Sequence, residues 1–153
     1  MIRRRGAAVV AAVALAASAA VAAAQPAQAA PALKVVKVRY NPPGNDLPIT
    51  NAKLNAEYLV VKNVSTTART LTGFTVRDKQ AHVYTFPTFR LGAGKSVTIR
   101  TGNGTNTATT LYWRSDAYIW NNSGTDAATL KNRAGTTVHT CSYTGGSTGV
   151  KTC

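Results

Sequence analysis

Few residue types in this chain could carry out a reaction. Its acids are Asp46, Glu57, Asp78, Asp116 and Asp126, and its histidines are His82 and His139. No two acids are close enough in sequence to suggest the paired carboxylates of glycoside hydrolysis. No G-x-S-x-G elbow or H-E-x-x-H helix is present, so the usual local signatures of hydrolytic chemistry are missing. Gly102-Asn103-Gly104 lacks both the strand–helix context and the terminal Lys-Ser/Thr of a phosphate loop. The Asp spacing does not fit a calcium loop. The expectation is a protein that is not an enzyme, with no metal, no cofactor and no small-molecule substrate. The rival is a small hydrolase or nuclease using His82 or His139, both of which read more simply as surface or edge residues.

Two cysteines, Cys141 and Cys153, stand twelve residues apart with Gly145, Gly146 and Gly149 between them. An even count and a flexible intervening loop suggest a disulfide. Free thiols are the alternative, as is a metal site recruiting His139.

Charge is the clearest signal. Lys and Arg number 18 against 5 Asp and Glu, a formal +13. Setting aside Arg3, Arg4 and Arg5 leaves 15 against 5, a net +10. A field of one sign attracts polyanions. Lys37, Arg39, Arg77, Arg100 and Lys131 fall at outward positions of expected strands and are the candidate polyanion-binding residues. The other basic residues are spread over element ends and loops. One reading is solubility alone. The sharper one is adhesion to an anionic polymer or cell-surface component (nucleic acid, cell-wall polyphosphate or acidic lipid headgroups), with a protein partner as the other option. Such binding weakens steeply with salt and shows little sequence preference.

The N-terminus reads as an export signal. Arg3–Arg5 form a basic head, an Ala/Val-rich stretch follows to Ala24, and Ala27-Gln28-Ala29 fits a signal-peptidase site. The expected division is a signal peptide at 1–29 and one domain at 30–153, secreted, with no transmembrane anchor after cleavage. Cleavage after Ala24 is the second choice, and a retained anchor is the alternative.

Beyond the leader, the chain holds 22 Thr and one Glu, Glu57. β-branched residues are abundant and strong helix formers scarce, which disfavours a helix bundle. Period-two alternation starts at Lys34, with Val36, Val38 and Tyr40 on one face and Lys37 and Arg39 on the other. Further strands are expected at Leu54–Val61, Leu71–Asp78, His82–Phe86, Lys95–Thr101, Ala127–Lys131 and Thr136–Tyr143. The aromatic run 111–120 lacks clean alternation and could hold a helical turn. Seven strands with turn signals about every ten residues predict an all-β antiparallel sandwich or small barrel.

The segments NAEYLVVKN (55–63), LTGFTVRDKQAHVYTFP (71–87), LGAGKSVTIRTGNGTN (91–106), LYW (111–113) and IWNNSGTDAATL (119–130) together resemble the lamin tail domain family in its small secreted bacterial form. The resemblance runs from about Leu33 to Tyr143. It implies an immunoglobulin-like antiparallel β-sandwich of about seven strands that acts as a non-catalytic binding or adhesion module. One departure is Thr125, inserted between Gly124 and Asp126 where the family more often has Gly directly before Asp. In such a sandwich Trp113 and Trp120 would close one end of the core, with their indole N–H groups on carbonyls. Asn121 and Asn122 would shape a turn, bonding backbone groups and tolerating positive φ. Asp126 would accept backbone N–H groups. A carbohydrate-binding platform made of Trp113, Tyr118 and Trp120 is the competing use of the same end.

Overall fold

The computed structural model describes residues 31–147 and 149–153. The expected signal segment, and the domain boundary placed after it, lie outside the described residues.

The elements run β1 (Leu33–Arg39), α1 (Asn51–Ala56), β2 (Tyr58–Asn63), β3 (Arg69–Thr70), β4 (Thr75–Arg77), β5 (Val83–Thr85), β6 (Arg90–Leu91), β7 (Ser96–Arg100), β8 (Thr110–Tyr112), β9 (Thr125–Lys131), β10 (Thr137–Thr144) and β11 (Val150–Thr152). A five-stranded sheet, ordered β11-β1-β2-β7-β8, packs on a four-stranded sheet ordered β10-β9-β4-β5. A two-stranded ribbon, β3-β6, lies beside them. The expected all-β sandwich is therefore present. Every pairing is antiparallel except β7 with β8, which is parallel. That reversal follows from the long polar loop 102–109, which lets the chain return to the same end of the sheet before pairing.

Alternation explains the packing. In β7, Val97 and Ile99 are buried while Ser96, Thr98 and Arg100 face out. In β2, Leu59 and Val61 are buried between Tyr58, Val60 and Lys62. Val76, Phe86, Leu111 and Leu130 complete the interior from the other strands. Tyr40 and Tyr143 stack at 4.3 Å between ring centroids where β1 approaches β10. The same side carries the Cys141–Cys153 disulfide, with Cα atoms 5.9 Å apart. It ties β10 of one sheet to the chain end beyond β11 of the other.

Several details differ from the sequence reading, which expects seven strands where the described residues form eleven. The expected strand Leu54–Val61 opens as a helix: Thr50 caps α1 by accepting the Lys53 N–H at 3.3 Å, and Leu54 is the helix's buried residue. A Thr N-cap supplies a partner that an extended chain would not need, so the strand begins only at Tyr58. In β1 the alternation is interrupted. The register shifts between Val35 and Lys37, so the inward set is Leu33, Val35, Val38 and Tyr40, and Val36 is the inserted residue of a bulge. The expected strand Leu71–Asp78 shortens to Thr75–Arg77 because Gly73 turns the chain at φ +76°, a conformation open to glycine. The aromatic run holds no helical turn; its first residues form β8 and the rest is irregular. The C-terminal strand β11 has no period-two signal to announce it, being three residues long.

Candidate polyanion-binding face

The outer surface of the five-stranded sheet is organised by register. Arg39 lies opposite Tyr58, Tyr58 opposite Arg100, and Arg100 beside Tyr112. One row of outward residues thus alternates cation and ring across four strands. The guanidinium carbons of Arg39 and Arg100 stand 6.0 and 5.8 Å from the Tyr58 ring centroid, within cation–π range. The next row places Lys37 opposite Val60, and Val60 opposite Thr98. These rows line a shallow groove of about 540 Å³, bounded by Lys37, Arg39, Tyr58, Val60, Thr98, Arg100 and the α1 residues Ala52 and Ala56. Farther along, Lys34 lies opposite Lys62, a like-charge cross-strand pair that costs stability unless an anion offsets it.

The wall of the groove is held in place by asparagines. Asn51 and Asn55 both donate from Nδ2 to the Asn103 carbonyl, at 3.0 and 2.9 Å, and Asn103 N–H donates to Asn51 Oδ1 at 2.6 Å. A side chain at Gly102 would collide with Asn51 and Asn55, so this close approach of α1 to the end of β7 requires glycine. Arg100 Nη1 donates to the Asn55 carbonyl, which fixes that guanidinium at the groove's edge.

Of the five candidate cations, Lys37, Arg39 and Arg100 converge here. Arg77 and Lys131 do not. They sit on β4 and β9 of the other sheet, in rows that read Val83–Arg77–Thr129–Thr140 and Thr85–Thr75–Lys131–Thr137. That face is mainly hydroxyl-bearing. The five positions look equivalent in sequence because alternation says only in or out; which face is out depends on sheet membership.

The acids explain why the cations are unpaired. Glu57 is fully buried and accepts Thr101 Oγ1–H at 2.5 Å, Ile119 N–H at 3.0 Å and Trp120 N–H at 3.0 Å. Burial pushes its carboxyl up to about 7, against the pull of those donors. Asp126 is also buried. It accepts Lys79 N–H at 3.1 Å, Ala127 N–H at 2.7 Å, Asn121 N–H at 3.1 Å and the Tyr143 hydroxyl at 3.3 Å. Three consecutive amides, 119 to 121, are thus caught by two carboxylates, Glu57 at the C-cap of α1 just ahead of β2 and Asp126 in β9. Burial and the neighbouring Asp126 carboxylate drive the Tyr143 phenol upward, so it stays a donor. Asp46 accepts Asn122 Nδ2 at 3.0 Å, and Asp78 bonds His82 through N–H at 2.7 Å and Nδ1 at 2.6 Å. Asp116 alone is exposed without such a partner. Among the described residues no Lys or Arg lies within ion-pair distance of a carboxylate.

The end-of-sandwich residues are placed as follows. Trp120 is buried and Trp113 half-buried, meeting edge to face at 5.9 Å and 86°. Neither indole N–H donates to a carbonyl among the described residues, so that expectation fails; the rings are held by packing. They are not coplanar, and with Trp120 covered they form no saccharide platform with Tyr118. Asn122 bonds the distant Asp46 rather than local backbone, and positive φ falls to Gly124, not to either asparagine. Thr125 starts β9, and its hydroxyl accepts Lys79 Nζ at 2.8 Å. His82 braces the β4–β5 turn through Asp78. His139 is half-buried, its Nδ1 without a partner, and burial lowers its basicity. Among the described residues no cluster of three His, Cys, Asp or Glu could hold a metal.

Glu57 and Tyr58 are what the sequence reading missed. The signal was present: the one glutamate in the chain precedes the apolar run Tyr58–Val61.

Two layered sheets, a cross-sheet disulfide and the buried-carboxylate clasp define an immunoglobulin-like β-sandwich module. The chain belongs to the Lamin Tail Domain family, whose profile matches residues 26–145. No curated protein matches it significantly.

Proposed function

We propose that this chain is a secreted, non-catalytic binding module that uses the outer face of its five-stranded sheet to hold anionic polymers at the cell surface. The observation that carries the reading is the disposition of charge. Four of the five carboxylates are committed to internal hydrogen bonds, while Lys37, Arg39 and Arg100 line one groove with no carboxylate among its lining residues. Paired cations would be screened by their own partners; these are free to meet phosphate or sulfate oxygens. Tyr58 between two guanidinium groups adds a flat apolar surface, which suits nucleic acid better than a featureless polyphosphate.

The test is chromatographic. The purified protein is expected to bind immobilised heparin and single-stranded DNA at about 50 mM salt and to elute as salt rises. Passage through both columns at low salt would remove the reading. Export is tested separately: N-terminal sequencing of protein from culture medium should begin at Ala30.

A further inference from the structure

Five large aliphatic side chains are exposed among the described residues, Leu47, Ile49, Val64, Val83 and Val150, and two of them stand on the loop that leads into α1, the helix that walls the cationic groove. Leu47 is 72% exposed and Ile49 47% exposed, at the tip of the loop that joins β1 to α1. The loop leaves the sheet just after Arg39 and returns through α1 to Tyr58, and Arg39 and Tyr58 are cross-strand partners. The tip is tied to the groove through α1, whose Ala52 and Ala56 line it and whose Lys53 holds the Leu47 carbonyl. It is braced: Lys53 Nζ donates to the Leu47 carbonyl at 2.9 Å, and the Tyr118 hydroxyl donates to the Asp46 carbonyl at 3.3 Å. Its one acid, Asp46, is turned away onto Asn122. Leu47 is the most exposed large hydrophobic among the described residues, and with Ile49 it forms an aliphatic pair on a braced loop rather than a single scattered side chain.

We propose that the Leu47–Ile49 tip and the Lys37–Arg39–Arg100 groove form one docking surface for an anionic phospholipid bilayer. The proposal rests on the cationic-face reading above and adds to it a second anionic partner, the bilayer. A soluble polymer offers charge and leaves Leu47 and Ile49 unexplained. A bilayer offers both chemistries at the right depths: phosphates for the guanidinium and ammonium groups, and the acyl boundary just beneath for the aliphatic tip. The contact is peripheral, since no helix among the described residues is long and apolar enough to cross a membrane. Neither part suffices alone. A few exposed cations bind weakly and reversibly, and two aliphatic side chains without charge do not concentrate the protein at the surface.

The experiment uses the purified protein with large vesicles of equal parts phosphatidylglycerol and phosphatidylcholine, vesicles of phosphatidylcholine alone, and a heparin column as the polymer control. Co-sedimentation with the anionic vesicles and not with the neutral ones is expected. Leu47→Ser combined with Ile49→Ser should weaken vesicle binding about tenfold while leaving the heparin elution salt unchanged, because no charge is altered. Both residues are exposed, and an unchanged melting temperature checks that the pair still folds. Lys37→Gln with Arg39→Gln should weaken both vesicle and heparin binding. Vesicle binding by the serine pair at the wild-type level would overturn the proposal. So would a wild-type protein that is retained on heparin yet ignores anionic vesicles, an outcome that leaves the polymer reading standing. Failure on both supports would remove the two together.

Discussion

The two outer faces of the sandwich are built from the same kind of strand and present opposite chemistry. Across the five-stranded sheet one row reads Arg39–Tyr58–Arg100–Tyr112. Across the four-stranded sheet the corresponding row reads Val83–Arg77–Thr129–Thr140. Each strand contributes an ordinary outward residue. What differs is the company: on the first face register brings two cations into one row around a ring, and on the second it puts Arg77 and Lys131 in separate rows made mostly of threonines. The same asymmetry runs inward. The turn from α1 into β2 supplies Glu57 and β9 of the four-stranded sheet supplies Asp126, and together they capture the amides of Ile119, Trp120 and Asn121. A charged outer face on one side is thus accompanied by buried acids that do not neutralise it.

The comparison breaks most readily at Glu57. Glu57→Ala would strand two buried N–H groups and the Thr101 hydroxyl, and should cost about 3–5 kcal/mol in urea unfolding. Asp126→Ala, whose partners are nearer the surface, should cost less, and the reverse order would mean that the clasp is held mainly from the four-stranded side. Next in size is the staple. Replacing Cys141 and Cys153 by Ser should lower stability by about 3 kcal/mol in the chain-entropy account. Intact-mass measurement with and without reductant should show the two-proton difference in the wild type only.

Acidity gives a third, comparable effect. The folded-state value of Glu57 is raised to about 7 from the ordinary 4.5, so the folded protein holds this proton where the unfolded chain has released it. The contribution is complete below about pH 4.5 and is lost as pH rises to about 7, a span worth about 3 kcal/mol. Glu57→Gln should flatten that slope; a slope unchanged in the variant would assign it to another group. The outer faces are separated by a smaller effect. Lys37→Gln, Arg39→Gln and Arg100→Gln together should reduce the salt slope of heparin binding by about 3. Arg77→Gln with Lys131→Gln should move it by about half as much or less, since those two cations share no groove. Equal losses from the two sets would mean that net charge, not the arrangement of the face, governs binding. The smallest expected change is in hydrolysis: His82→Ala should loosen the β4–β5 turn by about 1 kcal/mol without altering any nuclease background of the preparation.

Much of the strand content was legible. Ser96–Arg100 alternates cleanly, and the Asn132–Gly135 turn between β9 and β10 carries its own signals, with Gly135 at φ +82°. Legibility failed where local chemistry overrode periodicity. Thr50 caps a helix in front of Tyr58, and neither a cap nor a six-residue helix shows in a period-two count. The bulge at Val36 reverses the inward set of β1 midway, so a pattern correct at Val38 and Tyr40 was wrong at Val36. Tyr58 and Glu57 were read as members of one strand, although one faces the groove and the other is sealed beneath it.

Composition alone determined an excess of positive charge, a β-rich chain and a single pair of cysteines able to bridge, because these depend on counts and on contacts within a few residues. Only the tertiary structure decided that Lys37, Arg39 and Arg100 share a surface while Arg77 and Lys131 do not. Cross-strand neighbours come from positions tens of residues apart. Their identity is set by sheet order and register, which hydrophobic alternation leaves open.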